Sequence, residues 1–122
     1  MRNFRNYDMW KNAIQLCVEI YQATKEFPSF ETYRLGDQLR RAAVSIASNI
    51  AEGAGRKSEK DFGYFLQISL GSAFEVETQL YIAYKLRYLT KETLEDLLCK
   101  INSIEKQLHE MIQRLTQTKP KS

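Results

Sequence analysis

From Leu35 to Arg56 the chain reads LGDQLRRAAVSIASNIAEGAGR, and this stretch restricts the architecture more than any other. Placed on a helix at 100° per residue, Leu35, Leu39, Ala42, Ala43, Ile46 and Ile50 share one face. A second, smaller apolar strip of Val44, Ala47 and Ala51 runs beside it. Between Ala42 and Ala51 only Ser45, Ser48 and Asn49 are polar. A helix this apolar around its girth is covered on more than one side. Its Ala, Ser and Gly side chains let neighbouring backbones come close.

The flanking segments supply the cover. Asp8 to Lys25 predicts a first helix, with Asp8 as N-cap and Trp10, Ala13, Ile14, Cys17, Ile20, Tyr21 and Thr24 at three- and four-residue steps. Phe4 and Tyr7, ahead of it, are expected to pack across the bundle. Glu26-Phe27-Pro28-Ser29 ends this helix, because the residue before proline is pushed out of helical geometry. The central helix is expected from Ser29 to Ala51, with Gly36 weakening it by about 1 kcal/mol and marking a bend, and Gly53-Ala54-Gly55 ending it.

Ser58, with Asp61 three residues on, opens a third helix reaching Tyr88. Its principal face is Phe62, Phe65, Leu66, Ser69, Ala73, Val76, Leu80 and Ala83, and Gly63 and Gly71 inside it predict close approach of a neighbour. After a tight connection at Leu89-Thr90, Thr90 caps a fourth helix to Thr116. Its stripe is the cleanest of the four: Leu94, Leu97, Leu98, Ile101, Ile104, Leu108, Met111, Ile112 and Leu115. Lys119 to Ser122 reads as a frayed polar tail. Four helices with short connections predict an all-α fold, an antiparallel up-down-up-down four-helix bundle, as a single domain over 1–122.

Composition agrees with this. A chain of 122 residues with 43% hydrophobic and 27% charged residues is one ordinary globular domain, large enough to need no metal or disulfide staple. Cys17 falls on an apolar helix face and Cys99 on a polar one, so they predict no disulfide and a reducing, cytoplasmic setting. The opening MRNFRNYDMW has no apolar run behind its arginines, which predicts no signal peptide, and no stretch approaches the length of a membrane span.

Catalytic readings find little support. His109, the only histidine, lies at the edge of the fourth helix's stripe and has no partner for a triad. A di-metal bundle site needs Glu-x-x-His pairs on facing helices, whereas Glu105 and His109 are four apart without a counterpart. The expectation is therefore a protein without enzymatic activity, metal or cofactor.

What remains lies on surfaces. Gly53, Gly55, Arg56, Lys57 and Lys60 surround the start of the third helix, where free backbone N–H groups attract anions such as nucleic-acid phosphates. The alternative is a solvated turn whose glycines adopt positive φ, its field diluted by Glu52, Glu59 and Asp61. Glu77 sits among Ala73, Phe74, Leu80 and Tyr81, where a lone carboxylate is costly. Arg40 or Arg41 is the expected ion-pair partner, within the subunit or across an interface. A ligand-binding role for these arginines is the alternative. Leu70, Phe74, Tyr81 and Tyr88 form a second strip on the third helix, more than one core needs. Either this strip is a subunit interface, together with Val44, Ala47 and Ala51, or Phe4 and Tyr7, or the loop at Phe27 and Phe30, fold over it.

The stretch DQLRRAAVSIASNIAEGAGRKSEKDF, followed by FLQISLGSAFEVETQLYIAYKLRYL, resembles the bacterial 23S rRNA-intervening-sequence proteins, a family of small four-helix bundles. The resemblance extends to Trp10, the Phe27-Pro28 turn and the fourth-helix stripe. The family commonly has proline where this chain has Ala47, which implies a straighter central helix here. Relatives include accessory proteins of diversity-generating retroelements, which assemble as ring-shaped pentamers and work with a reverse transcriptase and its RNA. The resemblance thus implies a homo-oligomer, most simply a pentamer. It also implies RNA or DNA as a partner, with a reverse transcriptase or another nucleic-acid enzyme nearby and no membrane. Arg34, Arg40, Arg41, Arg56, Lys57 and Lys60 are the candidate phosphate-binding residues. The competing expectation, from the mixed-sign surface, is a protein-interaction scaffold that never contacts nucleic acid.

Overall fold

The structure, a computed structural model, describes residues 2–117. The expected polar tail from Lys119 lies outside the described residues. Five α-helices follow one another: α1 (Asp8–Thr24), the single turn α2 (Ser29–Thr32), α3 (Leu35–Ala54), α4 (Glu59–Lys85) and α5 (Lys91–Gln117). A 3-10 turn at Phe4–Asn6 precedes them. The four long helices form the antiparallel bundle. Its main contacts run α3 to α4, α4 to α5, α5 to α1 and α1 to α3, so each long helix has two principal neighbours. The α1–α3 side and the α4–α5 side are therefore opposite faces of the molecule.

The core is the intersection of four stripes. Leu39, Ala42, Ala43, Ile46 and Ile50 of α3 are buried against Phe62, Leu66, Ala73, Val76 and Leu80 of α4. From α5 come Leu94, Leu97, Ile101, Ile104 and Leu108. Each fully buried aliphatic side chain contributes roughly 1.5–3 kcal/mol by leaving water. Met111, Ile112 and Leu115 pack on the edge of this core, as the α5 stripe predicts.

Elsewhere the expected boundaries and faces shift. In α1 the buried residues are Met9, Ala13, Leu16, Ile20 and Thr24, while Ile14 and Tyr21 are exposed. The stripe is turned from the expected one because both neighbours of α1, not one, draw side chains inward. Asp8 lies in the first turn and Tyr7 occupies the N-cap, without a side-chain cap bond. The central helix is broken at Tyr33 and Arg34 rather than bent at Gly36, Arg34 having ψ −99°. It then passes unbroken through Ala47 to Ala54.

Glycine placement also differs from expectation. A Cβ at Gly71 would meet nothing within 4 Å, and at Gly63 it would make only an ordinary contact with Leu115. The close approach is at Gly53, where a Cβ would lie 2.7 Å from Phe65 Cβ. No glycine among the described residues has positive φ, so the α3–α4 turn does not use that freedom.

The ends of α4 are well defined. Ser58 Oγ accepts the Asp61 N–H at 3.0 Å, as the Ser58/Asp61 spacing predicts. At the other end, Arg87 N–H donates to Tyr84 O and Tyr88 N–H to Ala83 O, both at 2.9 Å. This helix stop requires a left-handed residue, and Arg87 supplies it at φ 67° without being glycine. Thr90 Oγ1 then accepts the Thr93 N–H and starts α5.

Polar contacts stitch the seams between helices. Ser69 Oγ donates to the Ile46 carbonyl at 2.8 Å, and the Ser45 and Ser72 hydroxyls meet at 2.9 Å. Lys100 of α5 bridges Glu19 of α1 and its own Asp96. In the α4–α5 seam, Asn102 Nδ2 donates to both Glu77 Oε1 and Glu105 Oε1 at 3.1 Å. Glu105 also shares a hydrogen bond with Glu77, and burial together with that contact pushes its carboxyl up from 4.5 to about 7. Two ionised carboxylates are both acceptors, so this contact holds only with a proton between them.

Two consequences are measurable. Arg87→Gly should raise stability by about 1 kcal/mol, seen as a higher melting temperature, because it removes the cost of a side chain in the left-handed region. Arg87→Val should lower it. The second concerns Glu105. The folded chain holds that proton more tightly than the unfolded chain, so the contribution is full below about pH 4.5 and is lost as pH rises through about 7. It is worth about 1 kcal/mol once solvent screening of a partly exposed group is allowed for. Glu105→Gln should flatten thermal stability between about pH 5 and about pH 8. Parallel wild-type and variant curves would remove the shared proton from the account.

Candidate nucleic-acid interface

The α3–α4 turn is where charge and shape coincide. Phe4 stacks edge-on against Trp10 with ring centroids 5.1 Å apart, and Tyr7 lies 6.0 Å from Phe62. These contacts draw the N-terminal segment across the bundle, as its aromatic residues predict, and carry Arg2 to the end of α3. There Arg2 Nη1 donates to the carbonyls of Arg56 at 2.6 Å and Ala54 at 3.4 Å. Its guanidinium sits 4.7 Å over the Phe62 ring, while that of Arg56 sits 4.5 Å over Phe65. Arg2, Gly55, Arg56 and Lys57 line an open concavity of about 630 Å³. Lys60 is exposed in the first turn of α4 beside it.

This arrangement can hold phosphate. Stacking on phenylalanine fixes a guanidinium without consuming its N–H donors, so Arg56 keeps its fork for oxygen and Arg2 keeps the donors not spent on the Arg56 and Ala54 carbonyls. Glu59 and Asp61 in the first turn of α4 offset part of the field. The lining of the concavity itself carries three cations and no carboxylate.

The six basic residues expected from the sequence do not converge. Arg56, Lys57 and Lys60 lie at the turn. Arg34, Arg40 and Arg41 lie toward the far end of α3, whose 20 residues span about 30 Å. Arg40 Nη2 donates to Thr32 O at 2.5 Å and its guanidinium stands 5.9 Å over the Tyr21 ring. Arg41 pairs with Asp37 at 3.0 Å. The expected ion pair of Arg40 or Arg41 with Glu77 is therefore not made within the subunit, because Glu77 faces α5 and is held by Asn102. Arg2 is the residue that sequence reasoning missed. Its only signal was a basic position two residues before an anchoring aromatic.

The two apolar strips divide as well. Ala47 and Leu70 belong to the subunit's own core, at 6% and 9% exposure. Tyr88 packs on Phe27 with ring centroids 5.3 Å apart and donates its hydroxyl to Glu31 at 3.0 Å. The loop thus covers one end of the α4 strip. Ala51 is half-buried, and Val44, Phe74 and Tyr81 are exposed. Ile14, Val18 and Tyr21 of α1 are exposed too, and join Val44 on the α1–α3 side.

Other chemistry is sparse. His109 is exposed, and no three His, Cys, Asp or Glu side chains among the described residues gather as a metal site. Cys17 and Cys99 are free thiols, and partial burial raises the Cys17 pKa. No helix among the described residues is long and apolar enough to cross a membrane.

Comparison with known proteins agrees with the architecture. A crystal structure of a protein of unknown function from the S23 ribosomal protein family of Bacteroides thetaiotaomicron superposes with a TM-score of 0.80 at 26% identity. The match covers 86% of this chain and 95% of that one. A comparison with curated proteins finds no match. The family model for 23S rRNA-intervening sequence proteins matches residues 5–110, and the chain belongs to that family.

Proposed function

We propose that this protein is a non-enzymatic, self-assembling four-helix module of the cytoplasm that binds RNA or DNA through phosphates at its α3–α4 turn, as an accessory to a nucleic-acid enzyme such as a reverse transcriptase. The observation that carries this reading is the concavity where Arg2 joins Arg56 and Lys57, two of the three guanidinium or ammonium groups being braced on phenylalanine rings. A net charge of +3 is too small for the whole surface to attract nucleic acid strongly, so a local cluster has to do it. The binding expected of such a site reads backbone charge and shape rather than base sequence.

Salt dependence is the test. Affinity for a mixed-sequence RNA pool should fall steeply between low and physiological salt, because each neutralised phosphate releases counterions. Replacing Arg56, Lys57 and Lys60 with alanine together should weaken binding by at least about tenfold and make the salt slope shallower. Replacing Arg34 should change neither. Absence of binding at low salt would overturn the reading.

A second reading is favoured by the exposed apolar residues on α1 and α4, namely a protein-interaction scaffold without nucleic-acid contact. A pull-down from nuclease-treated lysate separates the two, since scaffold partners survive the treatment.

Self-assembly is the common element of both readings. Val44 and Ile14 on one side of the bundle and Phe74 and Tyr81 on the opposite side are different surfaces. Their contact across subunits is heterologous and must close into a ring. A ring of five is the form that the family resemblance implies. Replacing Phe74 and Tyr81 with glutamate should leave a folded helical chain of smaller assembled mass, measured by light scattering after size exclusion. A wild-type mass of one chain, 14.3 kDa, at micromolar concentration would overturn the assembly.

A further inference from the structure

The two opposite faces differ in charge as well as in position. On the α4–α5 side, Phe74 and Tyr81 are 52% and 45% exposed, three residues before and four after Glu77. Asn102 ties Glu77 to Glu105, and no cationic side chain among the described residues pairs with either carboxyl. On the α1–α3 side, Tyr21 is exposed beneath Arg40, and Val44 is exposed one turn along α3 from Arg40 and Arg41. Arg41 is the freest of these cations, its side chain 80% exposed and held only by Asp37 on its own helix. An exposed pair of that kind is weak enough to exchange for a better partner.

These charges decide which face can meet which. If the α4–α5 face met its own copy across a twofold axis, Glu77 and Glu105 would confront their duplicates, and like charges brought together in an interface oppose association. The arginine-bearing face carries one nearby carboxylate, Asp37, which is already paired with Arg41. It also brings what the seam lacks, a guanidinium able to donate to two carboxylates at once.

We propose that the α4 face at Phe74, Glu77 and Tyr81 is the docking site for the α1–α3 face of a second copy of this chain, with Val44 seated between the two aromatic rings and Arg41 paired with Glu77 and Glu105. The spacing fits this seat. Phe74 and Tyr81 are separated by about 10 Å along the α4 axis, and Arg41 precedes Val44 by about 4.5 Å along α3. The carboxylate that found no arginine within its own subunit finds one in the next. The docking rests on the self-assembly reading and specifies its contact.

Charge exchange tests it. Arg41→Glu and Glu77→Lys, each made alone, should at least halve the assembled mass at micromolar concentration, with helical circular dichroism unchanged. The chain carrying both substitutions should regain the wild-type mass, because the pair is restored with its signs reversed. Should Glu77→Lys fail to fold, the near-isosteric Glu77→Gln, Glu105→Gln chain decides, and its mass should fall in the same way. Single variants that keep the wild-type mass, or a double variant that fails to regain it, would overturn the docking. If the wild type is itself a single chain, the assembly reading falls and this one with it. If the wild type assembles and Phe74 and Tyr81 are needed while the charge variants are silent, only the Arg41 docking falls.

Discussion

The close packing of α3 on α4 is the contact on which the other elements depend. It is made by small residues. Ala42 and Gly53 on α3, with Ser69 and Ala73 on α4, keep the two helices near enough for Ser69 to reach the Ile46 carbonyl. A methyl group added at Gly53 would collide with Phe65 Cβ at 2.7 Å, so the interhelical distance at that end is set by the absence of one. Large residues then fill what the small ones leave, with Phe62, Leu66 and Leu80 reaching into the centre of the bundle. Dense packing of this kind depends on each volume being matched, which is why an added methylene is felt.

Around that pair the remaining helices are placed by different means. α5 is amphipathic in the ordinary sense, one apolar stripe and one charged face, and it closes the bundle chiefly by burial. α1 is less strongly patterned, and its register against α5 is supported by Asn12 with Gln107 and Glu19 with Lys100. The Ser45–Ser72 hydroxyl contact does the same for α3 against α4. Each of these bonds is exposed or only part-buried and modest in net energy, so they favour one register without adding much stability.

The candidate site follows from the same packing. Phe62 and Phe65 turn their rings to Arg2 and Arg56 at the end of the bundle because α3 and α4 are held tightly there. The guanidinium groups are thus positioned by a hydrophobic contact, without an acidic partner in the concavity. The pair Glu77 and Glu105 is the reverse case. Carboxylates are brought together in a seam by helix packing, and among the described residues they are relieved by Asn102 and a shared proton. One end of the molecule therefore presents donors to oxygen, and one long face presents acceptors.

How much of this was legible in the chain depends on the range of the interaction involved. The helices, the Ser58 and Thr90 caps and the stripe of α5 are local, written in spacings of three and four residues, and so the bundle and most of its core follow from periodicity. The role of small residues in α3 was legible in kind. Which glycine met a neighbour was not, because Gly53 and Gly71 look alike until α4 is placed. The same holds for the partners of charge. Arg40 and Glu77 share an apolar setting in sequence, but side-chain direction around each helix sends Arg40 toward α1, Arg41 to solvent and the glutamate toward α5. Arg2 entered the basic cluster only when Phe4 and Tyr7 found Trp10 and Phe62. Sequence alone determined the helices and the faces they bury, since those rest on residues within one or two turns of each other. Tertiary structure decided which charges meet, because a side chain's partner depends on the rotation of two helices that no local pattern records.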